Sequence, residues 1–277
     1  MNYLLFILFA SMASWGEIAV GVNRHTANHP SKSAITGLLG AAQGVERDDE
    51  NAQQALARDY SLAVEQVSAG GFLNDFHTAQ VPNYKCKFHY RTRRDEIVIG
   101  SDRLETIVTN REYRTGAVSI VAIAANDCPI WSLEELQQAL LAPKYHLYLG
   151  RKSCPPGAPL QPEIIEADNF LQALTRYNPE PILDSHEEDQ RYLQLTDTSH
   201  YYWEGELRNF ATPDIVKPNQ VQQLTRRDYP LSRTQWQFKT RQENLWIGAA
   251  LFSYQSIDQL INSRQFCNAN MSQLTNI

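Results

Sequence analysis

The sequence predicts a mixed α and β chain, and three patterns carry that reading. Residues 4–9, 62–67 and 118–124 are apolar or alternating runs of strand length, rich in aliphatic, β-branched and aromatic side chains. Residues 31–44, 51–60 and 132–141 have helical spacing, two of them opening on serine caps. Residues 80–114 are locally basic and read as a projecting hairpin or long loop rather than core.

The 277 residues give room for one large domain or two small ones, with 43% hydrophobic and 20% charged side chains. That balance excludes wholesale disorder. The net charge of −6 excludes a uniformly basic nucleic-acid binder but leaves room for a basic patch, because patches are local.

In chain order, Tyr3-Leu4-Leu5-Phe6-Ile7-Leu8-Phe9 reads as a buried first strand, closed by Gly16. The same run could be the apolar core of a secretion signal, with small residues at Ala10-Ser11-Met12-Ala13-Ser14 suited to cleavage. Its shortness and the uncharged Met1-Asn2-Tyr3 argue against that. A loop with Arg24, His25 and His29 leads to the helix ending at Gly44, whose small residues suit close packing on a sheet. The basic stretch sets Lys85, Lys87, Arg91, Arg93, Arg94, Arg103, Arg111 and Arg114 against five acids; within it, residues 97–101 have strand character and a turn. Residues 144–152 contain no acid, 163–206 hold eleven acids against Arg176 and Arg191, and 217–241 hold six Lys or Arg against Asp228. The tail, 245–277, has helical spacing around 254–261 and a polar end.

The chemistry-bearing motifs are sparse. Cys86, Cys128, Cys154 and Cys267 form no C-x-x-C pair, which argues against a zinc ribbon. Walker, G-x-G-x-x-G, G-x-S-x-G and H-E-x-x-H patterns are missing, so no cofactor is expected. Asp48-Asp49 and Glu187-Glu188-Asp189 read as solvated charge rather than metal ligands. With no apolar run of 18 residues, no spanning helix or membrane partner is expected. His77 and His89, near Lys and Tyr, have the side chains for acid–base cleavage of RNA, but a hydrogen-bonded loop or phosphate contact is the simpler role. Tyr84, Phe88, Tyr90, Tyr113, Tyr145 and Tyr148 interleave with the basic residues. That composition suits unpaired RNA, with rings stacking on bases and cations following phosphates, and equally suits a solvated face over core aromatics.

Several motifs in one order resemble a known family: Ser14-Trp15-Gly16; Arg24 through His29-Pro30-Ser31-Lys32-Ser33-Ala34-Ile35-Thr36-Gly37-Leu38-Leu39-Gly40 to Arg47; Asp75-Phe76-His77-Thr78; Thr109-Asn110-Arg111-Glu112-Tyr113; Pro143-Lys144-Tyr145 through Gly150-Arg151-Lys152-Ser153-Cys154-Pro155; and Arg227-Asp228-Tyr229-Pro230 to Arg241. This is similar to the Cas-five family of RAMP subunits in type I-E CRISPR Cascade, antiviral ribonucleoproteins. The resemblance implies an α+β, RRM-like ferredoxin fold with an inserted β-hairpin thumb at about 80–114. It also implies one RAMP domain over 1–244 and an extension of unassigned role over 245–277. It implies a non-catalytic, cytoplasmic subunit that grips the 5′ handle of the CRISPR RNA (crRNA). The expected neighbours are the backbone subunit CasC and the large subunit CasA, with target DNA met only through the complex. Arg24, Lys32 and Ser33 are expected near the handle, Ser33 at a helix N-terminus where backbone N–H groups favour phosphate. Arg91, Arg93 and Arg94 belong on the thumb, Arg111, Arg151, Lys152 and Ser153 in the groove, and His77 beside the RNA. Ser31 stands where the family commonly has Thr, and Arg114-Thr115-Gly116-Ala117 departs from its usual Leu-x-Asp-Ala. Two other classes stay open: a metal-independent endoribonuclease using His77 or His89 with Lys and Tyr partners, since the resemblance includes a type I-C relative that is itself the processing ribonuclease, and a secreted binding protein.

Overall fold

Leu4, Leu5, Phe6, Ile7 and Leu8 are each at most 2% exposed, so the first strand, β1 (Asn2–Phe9), lies inside a sheet covered on both faces. The computed structural model describes residues 1–17, 19, 21–84 and 89–250. Lys85, Cys86, Lys87 and Phe88 of the basic stretch, and the expected helical spacing at 254–261, lie outside the described residues.

Short strands β2 (Trp15–Gly16), β3 (Asn23–Arg24) and β4 (Thr26–Ala27) precede helices α1 (Lys32–Gln43) and α2 (Glu50–Arg58). Then come β5 (Tyr60–Ser68), β6 (Gly71–Pro82), α3 (Arg93–Ile97), β7 (Leu104–Thr115), β8 (Val118–Ala125) and α4 (Leu133–Leu141). The remainder is β9 (Glu163–Glu166), α5 (Phe170–Arg176), α6 (His186–Tyr192), β10 (Thr198–Trp203), α7 (Leu207–Phe210), β11 (Gln222–Ser232) and β12 (Gln237–Ala249). Seven strands form one antiparallel sheet in the order β11-β12-β10-β5-β8-β1-β9.

Strand alternation divides the core. Leu4, Phe6 and Leu8 pack with Ile35, Leu38 and Leu39 of α1 and Leu136 and Leu140 of α4. Tyr3, Leu5 and Ile7 face Phe170 and Leu174 of α5, together with Phe210. The first helix forms where expected: the Ser31 side chain accepts from the Ala34 N–H, and Gly44, at φ +78°, closes the helix in the left-handed conformation. Its small residues do not all meet the sheet. Gly40 packs against Leu56 of α2, while Ala34, Gly37 and Ala41 face a surface cleft. The helix α4 has the reciprocal Ser132–Glu135 capping box.

The basic stretch departs most from expectation. The hairpin begins at Gly71, not residue 80, and pairs continuously from Gly71↔Thr115 to Pro82↔Leu104. Its first strand carries no Lys or Arg, so charge gave no sign of it. The expected strand at 97–101 is instead the end of α3 and the turn after it, because Thr92 and Asp95 make a reciprocal capping box that starts a helix there. The hairpin stands clear of the core, with Phe72, Phe76 and Ile107 exposed, and β3 pairs in parallel with its root. The boundary expected after residue 244 falls inside β12, where Leu245, Ile247 and Ala249 still pair with β10. Among the described residues no helix is long and apolar enough to cross a membrane.

Truncating a fully buried ring on β1 leaves a void between the sheet and α1. Phe6→Ala is expected to lower the unfolding free energy by about 3–5 kcal/mol in urea titrations, whereas Phe76→Ala on the exposed arm changes it by less than about 0.5 kcal/mol.

Candidate nucleic-acid interface

Not every basic residue reaches the surface. Lys32, in the first turn of α1, is 3% exposed. Its Nζ donates to Glu204 Oε2 at 2.6 Å and to the Tyr60 carbonyl at 3.2 Å, and lies 5.2 Å from the Tyr229 ring centre. Lys32, expected near the handle as an RNA-binding residue, is instead buried, with its charge taken up internally. The N-terminus of α1 is occupied as well. The Lys32 backbone N–H donates to Asp228 Oδ2 at 2.8 Å, Ser31 caps Ala34, and the Ser33 hydroxyl pairs with that of Ser31 at 3.0 Å.

Asp228 belongs to a larger buried cluster. Arg241 clasps it with two bonds, Nε to Oδ1 at 2.6 Å and Nη2 to Oδ2 at 2.9 Å, and reaches Glu243 Oε1 at 2.5 Å. Arg226 lies 3.5 Å from Glu243 Oε2 and against His29, whose Nε2 is 3.0 Å from the same carboxylate oxygen. Burial pushes Glu243 upward, but the His29 bond and the charges of Arg241 and Arg226 overcome it and leave the carboxyl at about 2. Burial, aided by Arg226, holds His29 below its ordinary value. Lys32, Arg226 and Arg241 thus offset Asp228, Glu243 and Glu204, and three of the cations counted in the sequence leave the surface.

Seven other cations meet in a cleft over the exposed face of α1, with Glu17, Glu46 and Asp48 also on its lining. One depression of about 670 Å³ is lined by Arg24, His25, Ser33, Arg151, Arg227 and Arg233. A second, of about 1660 Å³, shares its rim at Gly37, Tyr148, Gly150, Arg151, Arg233 and Trp236, and adds Arg47, Lys144, His146 and Lys152. One wall is the loop after α4. It is anchored by Lys144 and Tyr145 N–H groups donating to the Ala42 and Ala41 carbonyls, and it tightens into a turn where Cys154 N–H donates to Arg151 O at 2.9 Å. Gly150 permits that turn: at φ +86°, an added Cβ would lie 1.7 Å from the Ser14 carbonyl oxygen. The opposite wall is the turn between β11 and β12, whose Arg233 Nη2 donates to Ser33 O at 2.6 Å and to the Thr36 hydroxyl at 3.1 Å.

The predicted residues separate into three groups. Arg24, Ser33, Arg151 and Lys152 line the cleft, and Ser153 is exposed in the same turn as Lys152. Arg151 is also a brace, donating to the Glu112 and Arg24 carbonyls at 3.1 Å each, with its guanidinium 4.7 Å from the Tyr113 ring centre. Tyr113, 7% exposed, therefore seats Arg151 and offers no open face for a base, unlike Tyr145 and Tyr148. Arg111 is exposed at the root of the arm, paired in register with Arg24 on one side and Asp75 on the other. Arg91, Arg93 and Arg94 are exposed at the far end, where Arg93 pairs with Glu96 at 2.5 Å. His77 lies mid-arm opposite Thr109, and neither it nor His89 lines the cleft. Between arm and cleft, His25 Nδ1 meets Glu112 Oε1 at 2.8 Å, and Glu112 also accepts from the Thr26 N–H. Against partial burial, those bonds and Arg114 hold the Glu112 carboxyl below its usual range.

Arg47 and Trp236 were not singled out as site residues from sequence. Their signals were weak: Arg47 closes the motif around α1, and Trp236 stands between Arg233 and Lys239 in a basic segment. No group of three or more His, Cys, Asp or Glu positioned for a metal occurs among the described residues.

An antiparallel α and β scaffold with a cationic cleft at the root of a projecting hairpin defines the structural class. Within it, the pattern of the family described as CRISPR-associated protein (Cas_Cas5) matches residues 3–243, and the chain belongs to that family. It is 34% identical over 187 residues to the Escherichia coli (strain K12) protein named CRISPR system Cascade subunit CasD, covering 64% of this chain and 78% of that relative. A chain of a solved CRISPR RNA-guided surveillance complex aligns over 90% of both chains with a TM-score of 0.58 and 25% identity. A crystal structure of a Cas protein shares the fold at a TM-score of 0.53 and 20% identity, covering 90% of this chain and 93% of that one.

The buried cluster has two measurable consequences. Lys32→Ala, which leaves Glu204 without its cation, is expected to cost about 3–5 kcal/mol of stability in urea titrations. Glu243, lowered from 4.5 to about 2, contributes stability that is complete above pH 4.5 and disappears as the pH falls through about 2. At roughly 1.4 kcal/mol per unit, this amounts to about 3 kcal/mol. Neutral His29 acts in the same sense, losing its contribution on acidification. Glu204, raised by burial, acts in the opposite sense, so the comparison is the measure: in denaturant titrations, stability should fall less between pH 5 and 3 in Glu243→Gln than in wild type.

Proposed function

We propose that this chain is a non-catalytic subunit of a type I-E Cascade-like surveillance complex and that it grips the 5′ handle of the CRISPR RNA. The observation that carries this reading is the cleft, where Arg24, Arg151, Lys152, Arg227 and Arg233 converge beside Tyr145 and Tyr148 on a protein of net charge −6. Membership of the Cas5 family and likeness to a Cascade subunit supply the biological setting. A strip of cations with open rings suits an unpaired strand, because charges follow phosphates while π faces accept any base. Phosphate contacts come from Arg24, Ser33, Arg151, Lys152 and Ser153, and Arg111 continues the path onto the arm.

The element order β1-α1-β5-β8-α4-β9, with sheet order β5-β8-β1-β9, supports an RRM-like ferredoxin core. On that reading the arm, inserted between β5 and β8, is the thumb, with Arg91, Arg93 and Arg94 at its far end and His77 along its length. CasC and CasA are the proposed protein neighbours, target DNA is met through the assembled complex, and the cytoplasm is the proposed location. The proposed domain runs to the end of β12, and the residues beyond it form the extension.

Arg24 and Lys152 test the cleft directly, since both are exposed. For a single strand, the logarithm of affinity falls with the logarithm of salt concentration at a slope of roughly −0.7 per neutralised phosphate. Arg24→Glu with Lys152→Glu should weaken binding of repeat-derived RNA and flatten that slope by about 1.4. Unchanged affinity and slope would remove the cleft from the RNA path. Site-specific cleavage of repeat RNA in EDTA, lost in His77→Ala or His89→Ala, would instead make the chain an endoribonuclease.

A further inference from the structure

Trp236 is placed in an unusual way for so large a side chain. It occupies the turn between β11 and β12 at φ +52°, a left-handed conformation that glycine or asparagine ordinarily adopts, and it is 63% exposed. A tryptophan held there contributes little to the core, yet its surroundings fix it closely. The Gln235 N–H donates to the Ser232 hydroxyl at 3.1 Å, and the Ser232 and Thr234 hydroxyls both donate to the Glu50 carboxylate at the start of α2. Arg47 donates through Nε and Nη2 to the Arg233 carbonyl, at 3.2 and 3.1 Å. Anchored in this way, its guanidinium lies 4.6 Å from the Trp236 ring centre, and the Phe238 ring follows at 6.0 Å. The indole is thus a rigid plate in the rim shared by the two halves of the cleft.

We propose that Trp236, backed by Arg47, is a stacking platform for one unpaired base of the bound RNA. The inference rests on the RNA-binding reading above and adds a base contact to its phosphate contacts. The neighbours favour a nucleobase over a protein side chain. The ring stands in an open cleft where Arg47, Arg233, Arg151 and Lys144 outnumber the acids Glu46 and Asp48, whereas charged residues are depleted at the core of a protein–protein interface. Such a ring between cations matches the needs of an unpaired nucleotide, with a π face for the base and positive charge for the phosphates on either side.

The test uses the full-length chain and a fluorescein-labelled single-stranded RNA copied from the repeat of the host's CRISPR array. A companion set replaces each nucleotide in turn by an abasic ribose. Wild type is expected to lose about tenfold in affinity at one abasic position. Trp236→Ala and Trp236→Gly should weaken the intact RNA by about tenfold and abolish the penalty at that position. Trp236→Phe should stay within about threefold of wild type. The salt slope should not change in any variant, because no phosphate contact is lost. The glycine variant guards against misfolding, since glycine takes φ +52° without strain and its thermal midpoint should equal or exceed that of wild type. Unchanged affinity in the alanine and glycine variants, or an abasic penalty that persists in them, overturns the platform while leaving RNA binding intact. A changed salt slope assigns the ring to phosphate positioning and also overturns it. Release of a co-purifying protein subunit with RNA affinity preserved would make Trp236 a protein anchor. If wild type itself fails to bind the RNA, both the function proposed above and the platform fall.

Discussion

The cluster of Lys32, Asp228, Arg241, Glu243, Arg226 and His29 is the constraint on which the rest of the architecture depends. It joins the N-terminus of α1 to the β11–β12 hairpin through the bond from the Lys32 N–H to Asp228, and to β10 through His29 stacked on Tyr202 at 3.5 Å. Charges this deep persist only when each is paired and hydrogen-bonded, because an orphaned buried ion costs several kcal/mol. The pairing also fixes geometry. With Asp228 on the end of the helix, the β11–β12 turn is carried to the outer face of α1, where Arg233 bonds to Ser33 and Thr36. One wall of the cleft is set by that docking, and the other by the turn that Gly150 permits beside Ser14.

The same pairing sorts the cations. Arg226 and Arg227 are neighbours in sequence with different fates: Arg226 reaches inward to Glu243, while Arg227 lines the cleft. Strand alternation alone sends them to opposite sides. Lys32 and Ser33 divide similarly, one buried on Glu204 and the other at the edge of the cleft. An acidic protein thereby presents a mainly positive surface along one path, where Glu17, Glu46 and Asp48 are the exposed acids among the cations, while other carboxylates are used inside. Asp189, for example, is fully buried and accepts from the Ile182 and Leu183 N–H groups.

Features encoded by near neighbours were legible. The Ser31 cap, the Gly44 stop, the Ser132 start and the apolar β1 each depend on residues a few positions apart, and each element formed where the pattern put it. Features that depend on distant partners were not. Nothing near Lys32 announces Glu204, 172 residues away, so an internal ion pair looked like an RNA-binding residue. The root of the arm at Gly71 was hidden because its strand lacks the charge that marked the rest. Ile97-Val98-Ile99 looked extended, yet the Thr92–Asp95 box outweighed β-branching and closed a helical turn. Tyr113 and Tyr148 were indistinguishable as aromatics near basic residues; only the fold buries the first under Arg151 and leaves the second open.

Ultraviolet crosslinking of the native complex, isolated from its host with its guide RNA and read by peptide mass spectrometry, tests most directly whether the sorted cations form an RNA path. Nucleotide-bearing peptides drawn from residues 144–152 and 226–238 are the result that this account predicts. Crosslinks confined to the acidic segment 163–206, or missing from this chain while its neighbours carry them, would contradict it.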